Sequence, residues 1–281
     1  MCMEPRYKLI YDYDGQTCNR FWGYLDSVAW AVLNKKKVFI LHWDPNIKHF
    51  RRLRKNPYVS FPFYSEWLVK RFGDKKAQKY VYWLYDNIFF YWFFNNFQSI
   101  LGLVQIVRGW NTRNKLDNHQ KAGKLVYDLF LPNEDIVSDV NMAFKQARKE
   151  SDVVVGIHFR KGDYKEWHDG KYYYEDETYE SFMAQMESLL APRRVSFFIA
   201  TNGEVSKEIT SSHQVFRIQN GNMAHDLYGL SKCNYIIGPP STFSKWAALV
   251  GYVPLYHVYD ANKPITKADL SYENALSNWD N

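Results

Sequence analysis

The run VVVGIHF, Val153 to Phe159, restricts the fold of this chain more than any other stretch. It lacks the apolar–polar alternation of a half-exposed strand, so both of its faces must be covered, as in a parallel sheet flanked by helices. The chain then repeats the theme. A helical apolar pattern runs through Tyr179, Phe182, Met183, Met186, Leu189 and Leu190, followed by VSFFIAT, the short VFRI, a helix-like HDLYGLSKC, YIIG, a helix-like STFSKWAALVG and VPLYHVY. Strand-like runs alternating with helical ones predict a doubly wound α/β sheet. Nearer the N-terminus, YKLIYDY, the turn DGQTCN, a helical face through Phe21, Leu25, Val28, Ala29, Val32 and Leu33, and KVFILH read as a βαβ unit.

A chain of 281 residues accommodates two such domains. We place them at 1–145 and 146–281, with an aromatic, mostly helical insertion from about Asn46 onward in the first. A closing helix, Lys267 to Leu276, is expected to fold back on that domain. The segment Tyr80 to Val107 is very apolar, but Asp86, Asn87, Asn95, Asn96 and Gln98 interrupt it. It therefore falls short of the roughly 18 uninterrupted apolar residues of a spanning helix, and a buried aromatic helix is expected, with peripheral membrane contact as the lesser alternative.

Net charge of +6 favours anionic partners. The basic residues lie in short scattered clusters, which argues against nucleic acid. Cys2, Cys18 and Cys233 are too few and too far apart for a disulfide framework or a cysteine-rich metal site. The start, MCMEPRYKLIYDYDG, shows no signal-peptide core, so a cytoplasmic location is expected. Walker A, G-x-S-x-G, HExxH and G-x-G-x-x-G patterns are absent, which removes the commonest ATPase, hydrolase, zincin and dinucleotide readings.

Ligands of open α/β sheets bind beyond the carboxyl ends of the strands. Arg160, Lys161 and Asp163 leave the end of VVVGIHF, and an arginine fork beside a lysine suits phosphate oxygens. The same residues, with His158, also fit a core histidine followed by a charged turn. In GPPSTFS a helix begins at Ser241 or Thr242; Ser and Thr are natural caps, and a helix N-terminus is also a phosphate site. Asp226 opens another helix, where it would favour the dipole or accept from a guanine base. Asp12-Tyr13-Asp14 has the D-x-D form of a metal site, but without further ligands we read no metal there.

Taken together, GIHFRKGDY, FFIATNGE, HDLYGLSKCNYIIGPPSTFSKWAALVG and DGQTCNRFWGYLDSVAWAVL resemble, in order and spacing, the motifs of the alpha-1,2- and alpha-1,6-fucosyltransferases and their protein O-fucosyltransferase relatives. The first is similar to their H-x-R-R-x-D motif. The resemblance is to the bacterial alpha-1,2-fucosyltransferase-like members most of all. It implies a GT-B-like fold with two Rossmann-like domains facing a cleft, GDP-fucose as donor, inversion at the anomeric carbon, and no metal or other cofactor. The implied acceptor is a glycan, galactose of a bacterial surface polysaccharide or oligosaccharide, lipid-linked in one version. Another nucleotide sugar, or an inactive nucleotide-sugar-binding protein, is the alternative.

By position, Arg160 would hold the β-phosphate with Lys161 assisting, and His158 and Asp226 would contact the guanosine. Ser241, Thr242, Phe243 and Ser244 would line the phosphate pocket, while Asn19 and Arg20 would face the donor sugar. For the general base, Asp14 is the first candidate and Asp163 the second. Lys161 stands where the family has a second arginine, and Thr201-Asn202-Gly203 replaces its acidic turn.

Overall fold

A computed structural model describes residues 5–11, 15–42, 44–87, 103–113, 115 and 117–276. The chain forms two compact units, Met1–Asn133 and Glu134–Asn281.

The first unit is built on strands β1 (Tyr7–Ile10), β2 (Lys37–Ile40), β3 (Val59–Ser60) and β4 (Val104–Val107), all parallel in the order β3-β2-β1-β4. Helix α1 (Thr17–Asn34) connects β1 to β2 and ends where Lys35 turns left-handed, φ 51°. Of the face the sequence predicts, Phe21, Leu25, Val28 and Ala29 are buried, while Val32 is half-buried and Leu33, near the helix end, is exposed; Phe21 meets Phe50 and Phe130 edge-on at 4.8 and 5.2 Å. Among the described residues the unit also has helices α2 (Arg51–Arg54), α3 (Phe63–Phe72), α4 (Asp74–Asp86), α5 (Asp117–Ala122) and α6 (Lys124–Tyr127).

The aromatic segment departs from expectation. Within it Tyr80 and Trp83 on α4 are exposed, 54% and 64%, and Val104–Val107 is a strand paired with β1. Positions 88–102 of that segment lie outside the described residues. Among the described residues no helix is long and apolar enough to cross a membrane.

The second unit opens with α7 (Glu134–Glu150). This helix lies across our sequence boundary at 145/146 but belongs whole to the second unit, because its buried stripe (Ile136, Val140, Phe144, Ala147) packs on that unit's sheet; Phe144 meets Phe198 and Phe216 at 5.3 and 5.2 Å. The strands are β5 (Val153–Phe159), β6 (Val195–Thr201), β7 (Val215–Phe216), β8 (Tyr235–Gly238) and β9 (Leu255–His257), parallel in the order β7-β6-β5-β8-β9. All seven residues of β5 are buried, as its composition requires.

One face of β5 (Val153, Val155, Ile157, Phe159) packs against Tyr179, Phe182, Met183 and Met186 of α8 (Asp176–Leu190). Burial of each such side chain contributes roughly 1.5–3 kcal/mol. Ile209 of α9 (Lys207–Ser212) joins that same core, while the opposite face receives α10 (Met223–Leu230) closely. A Cβ at Gly156 would stand 2.7 Å from Leu230 Cδ2 and 2.9 Å from Cys233 Sγ, so glycine is what permits this approach. Helix α11 (Thr242–Gly251) follows β8. The closing stretch is a short turn, Lys267–Asp269, and α12 (Glu273–Leu276), which packs on α11 and β9 of its own unit.

Candidate functional site

In the second sheet the register aligns Phe159 with Thr201 and Ile157 with Ile237, so the carboxyl ends of β5, β6 and β8 share one edge. Strand order reverses between β5 and β8, the position where open α/β sheets form a ligand crevice.

Arg160 leaves β5 at this edge. Its backbone N–H donates to Tyr179 Oη at 3.1 Å, and its Nη2 donates to Asp163 Oδ2 at 2.8 Å. The guanidinium lies over the Tyr164 ring, 5.1 Å from the centroid. Tyr164 Oη donates to Pro240 O at 2.6 Å, in the turn before α11. Beside it, the ring of His158 at the end of β5 stacks on Phe243 in the first turn of α11, with centroids 5.2 Å apart and planes inclined by 30°. β5 with the loop that leaves it is therefore tied to the start of α11 at two places.

At the α11 start, Ser241 is the cap and its Oγ accepts from Phe243 N at 3.2 Å; Thr242 is the first helical residue. Ser244 is fully buried, donates to Ser241 O at 3.2 Å and lies 3.0 Å from His257 Nε2. Burial holds His158 well below the usual imidazole range, with Arg160 and His257 adding to the effect. Burial and Lys245 push His257 down to about 3. Both rings are thus neutral at pH 7, and His158 Nδ1 is buried with no hydrogen-bond partner among the described residues.

Lys161, expected to assist at the phosphate, has other partners in this structure. Its side chain turns inward: Nζ pairs with Asp176 at 2.6 Å and donates to Tyr174 O at 2.9 Å, against the rings of Tyr173 and Tyr179. Lys161 N donates to Asn202 Oδ1 at 2.8 Å, binding the RKGD loop to the turn after β6. Gly162, at φ +57°, takes a left-handed turn there, and a Cβ on it would come within 3.1 Å of Asn202 Nδ2. Asn202 also reaches Asp163 Oδ1 at 3.4 Å.

Asp226 is in the first turn of α10, whose cap is Asn222 rather than Asp226 itself; Asn222 and His225 form a capping box. Helix α10 packs on β6, and the Asp226 carboxylate is near the Thr201 backbone at the end of that strand, so it stands at the same edge. Burial pushes its pKa up to about 7, opposed by Arg217 and by the Thr201 backbone.

Residues 134–279 match the sequence profile of Glycosyl transferase family 11. The chain belongs to that family. This bears out the resemblance drawn from the four motifs. The fold is shared with fucosyltransferase NodZ from Bradyrhizobium (TM-score 0.51, 14% identity, 91% of this chain and 96% of that one). It is shared also with an Arabidopsis thaliana FUT1 variant in complex with GDP (0.51, 12%, 93% and 73%). POFUT1 in complex with GDP is similar to the same extent (0.51, 12%, 88% and 95%). No curated protein matches the chain by sequence. The GT-B-like expectation of two Rossmann-like units is met.

In this family 11 glycosyltransferase the first-unit candidates have other surroundings. Arg20, expected at the donor sugar, is buried: Nη1 lies 3.2 Å from Asp44 Oδ2, Nη2 lies 2.7 Å from Asp74 Oδ2, and Nε donates to Gly15 O at 3.2 Å. Asn19 is partly exposed in the first turn of α1, with its amide against Gly15. Asp14, and with it the D-x-D pair, lies outside the described residues. Among the described residues no group of three His, Cys, Asp or Glu side chains is arranged to hold a metal. Tyr164, Asp176, Asn202 and His257 were not singled out as site residues from sequence. The first three follow from the position of RKGD only once the loop's folding is known; His257, just before the polar end of VPLYHVY, was visible as a strand-end polar residue.

Proposed function

We propose that this chain is an inverting fucosyltransferase that moves fucose from GDP-fucose to a glycan hydroxyl, galactose of a surface polysaccharide or oligosaccharide, without a metal ion. The observation that carries the reading is that β5 and the Arg160 loop leaving it are tied to the α11 N-terminus, by His158–Phe243 stacking and the Tyr164–Pro240 hydrogen bond. Guanine-nucleotide ligands in NodZ, soaked with GDP-fucose, and in POFUT1 and FUT1, with GDP, support the donor class.

As the bond from fucose C1 to the β-phosphate oxygen breaks, negative charge grows on GDP. The Arg160 fork and the positive end of α11 stabilise that charge more in the transition state than in the ground state. Tyr164 and Asp163 orient the guanidinium. Neutral His158 offers its unpartnered Nδ1 to the nucleotide without competing for the phosphate charge. Asp226 accepts from the guanine base. The acceptor oxygen attacks C1 from the face opposite GDP, giving inversion, and its proton passes to a carboxylate, for which Asp14 is the first candidate and Asp163 the second.

The test is turnover of GDP-fucose with a panel of galactosides, with and without EDTA. The expected result is GDP release that depends on acceptor and is indifferent to EDTA. Turnover of a different nucleotide sugar in preference to GDP-fucose would replace the donor assignment, and binding of GDP-fucose without transfer would leave a binding protein.

A further inference from the structure

The donor reading leaves one group of side chains at the same sheet edge unused. After Tyr164 the chain runs through Trp167, His168 and Tyr172. Tyr164 and Trp167 are 4.7 Å apart between centroids, Trp167 and His168 meet edge-on at 4.4 Å, and Trp167 and Tyr172 at 5.6 Å. Tyr172 meets Tyr259 edge-on at 6.1 Å, and Tyr259 meets His257 at 6.3 Å. The series begins at the ring that carries Arg160 and ends beside the residue bonded to Ser244. Although ring packs on ring, Trp167 stays 39% and Tyr259 57% exposed.

The backbone beneath Trp167 is held in an unfavourable form. His168 (φ 48°, ψ 44°) and Asp169 (φ 55°, ψ 33°) are consecutive left-handed residues with a Cβ. Each costs roughly 1–2 kcal/mol relative to ordinary helical backbone. Such strain persists where the surroundings impose it, and here it directly follows a tryptophan that is 39% exposed.

Strand order gives the group a direction. Asp226, on the helix packed against β6, stands at the end of that strand, Arg160 and Ser241 follow the neighbouring β5 and β8, and Tyr259 follows β9 on the far side of β8. A nucleotide sugar with its base at β6 and its diphosphate between β5 and β8 points its sugar end toward the β9 side.

We infer that Trp167, Tyr172 and Tyr259 form a stacking platform for the glycan acceptor. The flat rings take the apolar C–H face of a pyranose, and the Tyr hydroxyls and His168 at the margin bond its hydroxyls. This rests on the donor assignment above for its direction, and it names the acceptor class from this unit's own residues.

Saturation-transfer NMR with lactose, N-acetyllactosamine and chitobiose, on the free and on the GDP-loaded protein, tests it. At least one saccharide should receive saturation from the aromatic resonances. Tyr259→Ala and Trp167→Ala should each weaken that saccharide about three- to tenfold, Trp167→Phe should restore most of the loss, and calorimetric GDP affinity should not change. Tyr259 is the more exposed of the two and keeps the test available if Trp167→Ala fails to fold. Absence of saccharide binding in both states, or binding untouched in both alanine variants, overturns the platform. Failure of the wild type to bind GDP would overturn the donor assignment instead, and calorimetry reads that separately.

Discussion

Arg160 and Arg20 each follow the first strand of a parallel sheet, one in each unit, and their surroundings differ in kind. Arg160 is partly buried, and its carboxylate partner, Asp163, is half in water (50% exposed). Arg20 is sealed between Asp44, 1% exposed, and Asp74, while Asp44 also accepts from Thr17 Oγ1 and Asn46 N. A cation paired at the surface can exchange its partner for a phosphate at little cost. One that compensates a buried carboxylate cannot leave without stranding that charge. The first arrangement suits a ligand site and the second suits a structural clasp.

Substitutions at the two arginines should separate these roles. Arg20→Leu strands Asp44 and should lower unfolding free energy by about 3–5 kcal/mol, read by denaturant titration. A loss below ~1 kcal/mol would erase the contrast. Arg160→Ala should leave stability nearly unchanged and reduce kcat by about 10²–10³, some 3–4 kcal/mol of barrier. Lys161→Met tests the neighbour that turned inward. It breaks the pair with Asp176, so it should cost ~1–3 kcal/mol of stability while kcat falls less than in Arg160→Ala; the reverse order would put Lys161 back at the phosphate.

Asp226 gives a smaller, pH-dependent effect. Its folded pKa, about 7, lies above the model-peptide value of 3.8. The neutral form therefore stabilises the fold below pH 4, and this contribution is lost as pH rises through 7. Asp226→Asn should raise Tm at pH 8 and leave it unchanged near pH 4. Because the base needs the carboxylate, wild-type GDP affinity should rise up to about tenfold per unit between pH 6 and 7 and level off above. A flat profile would remove Asp226 from the nucleotide site.

Much of this was legible in the chain itself, for physical reasons that also mark where reading stops. β5 to β9 are short apolar runs between turn residues, and a strand covered on both faces cannot hide its composition. Ser241 as a cap followed from residue type alone. The fate of Lys161 did not, because which of two adjacent cations turns inward depends on Asp176, well along the chain. The ion pairs of Arg20 were not visible for the same reason, its partner Asp74 being brought in by tertiary packing. The exposed Tyr80 and Trp83 were expected to be buried, since aromatic content reports attraction to apolar surface and not whether a surface is present.

The account turns on Arg160 holding the β-phosphate. Calorimetric comparison of GDP with GMP, in the wild type and in Arg160→Ala, measures that contact most directly. A charge-assisted hydrogen bond of about 1.5–3 kcal/mol predicts that GDP binds the wild type at least about tenfold more tightly than GMP, and that the difference collapses in the variant. An equal preference for GDP in both proteins would contradict it.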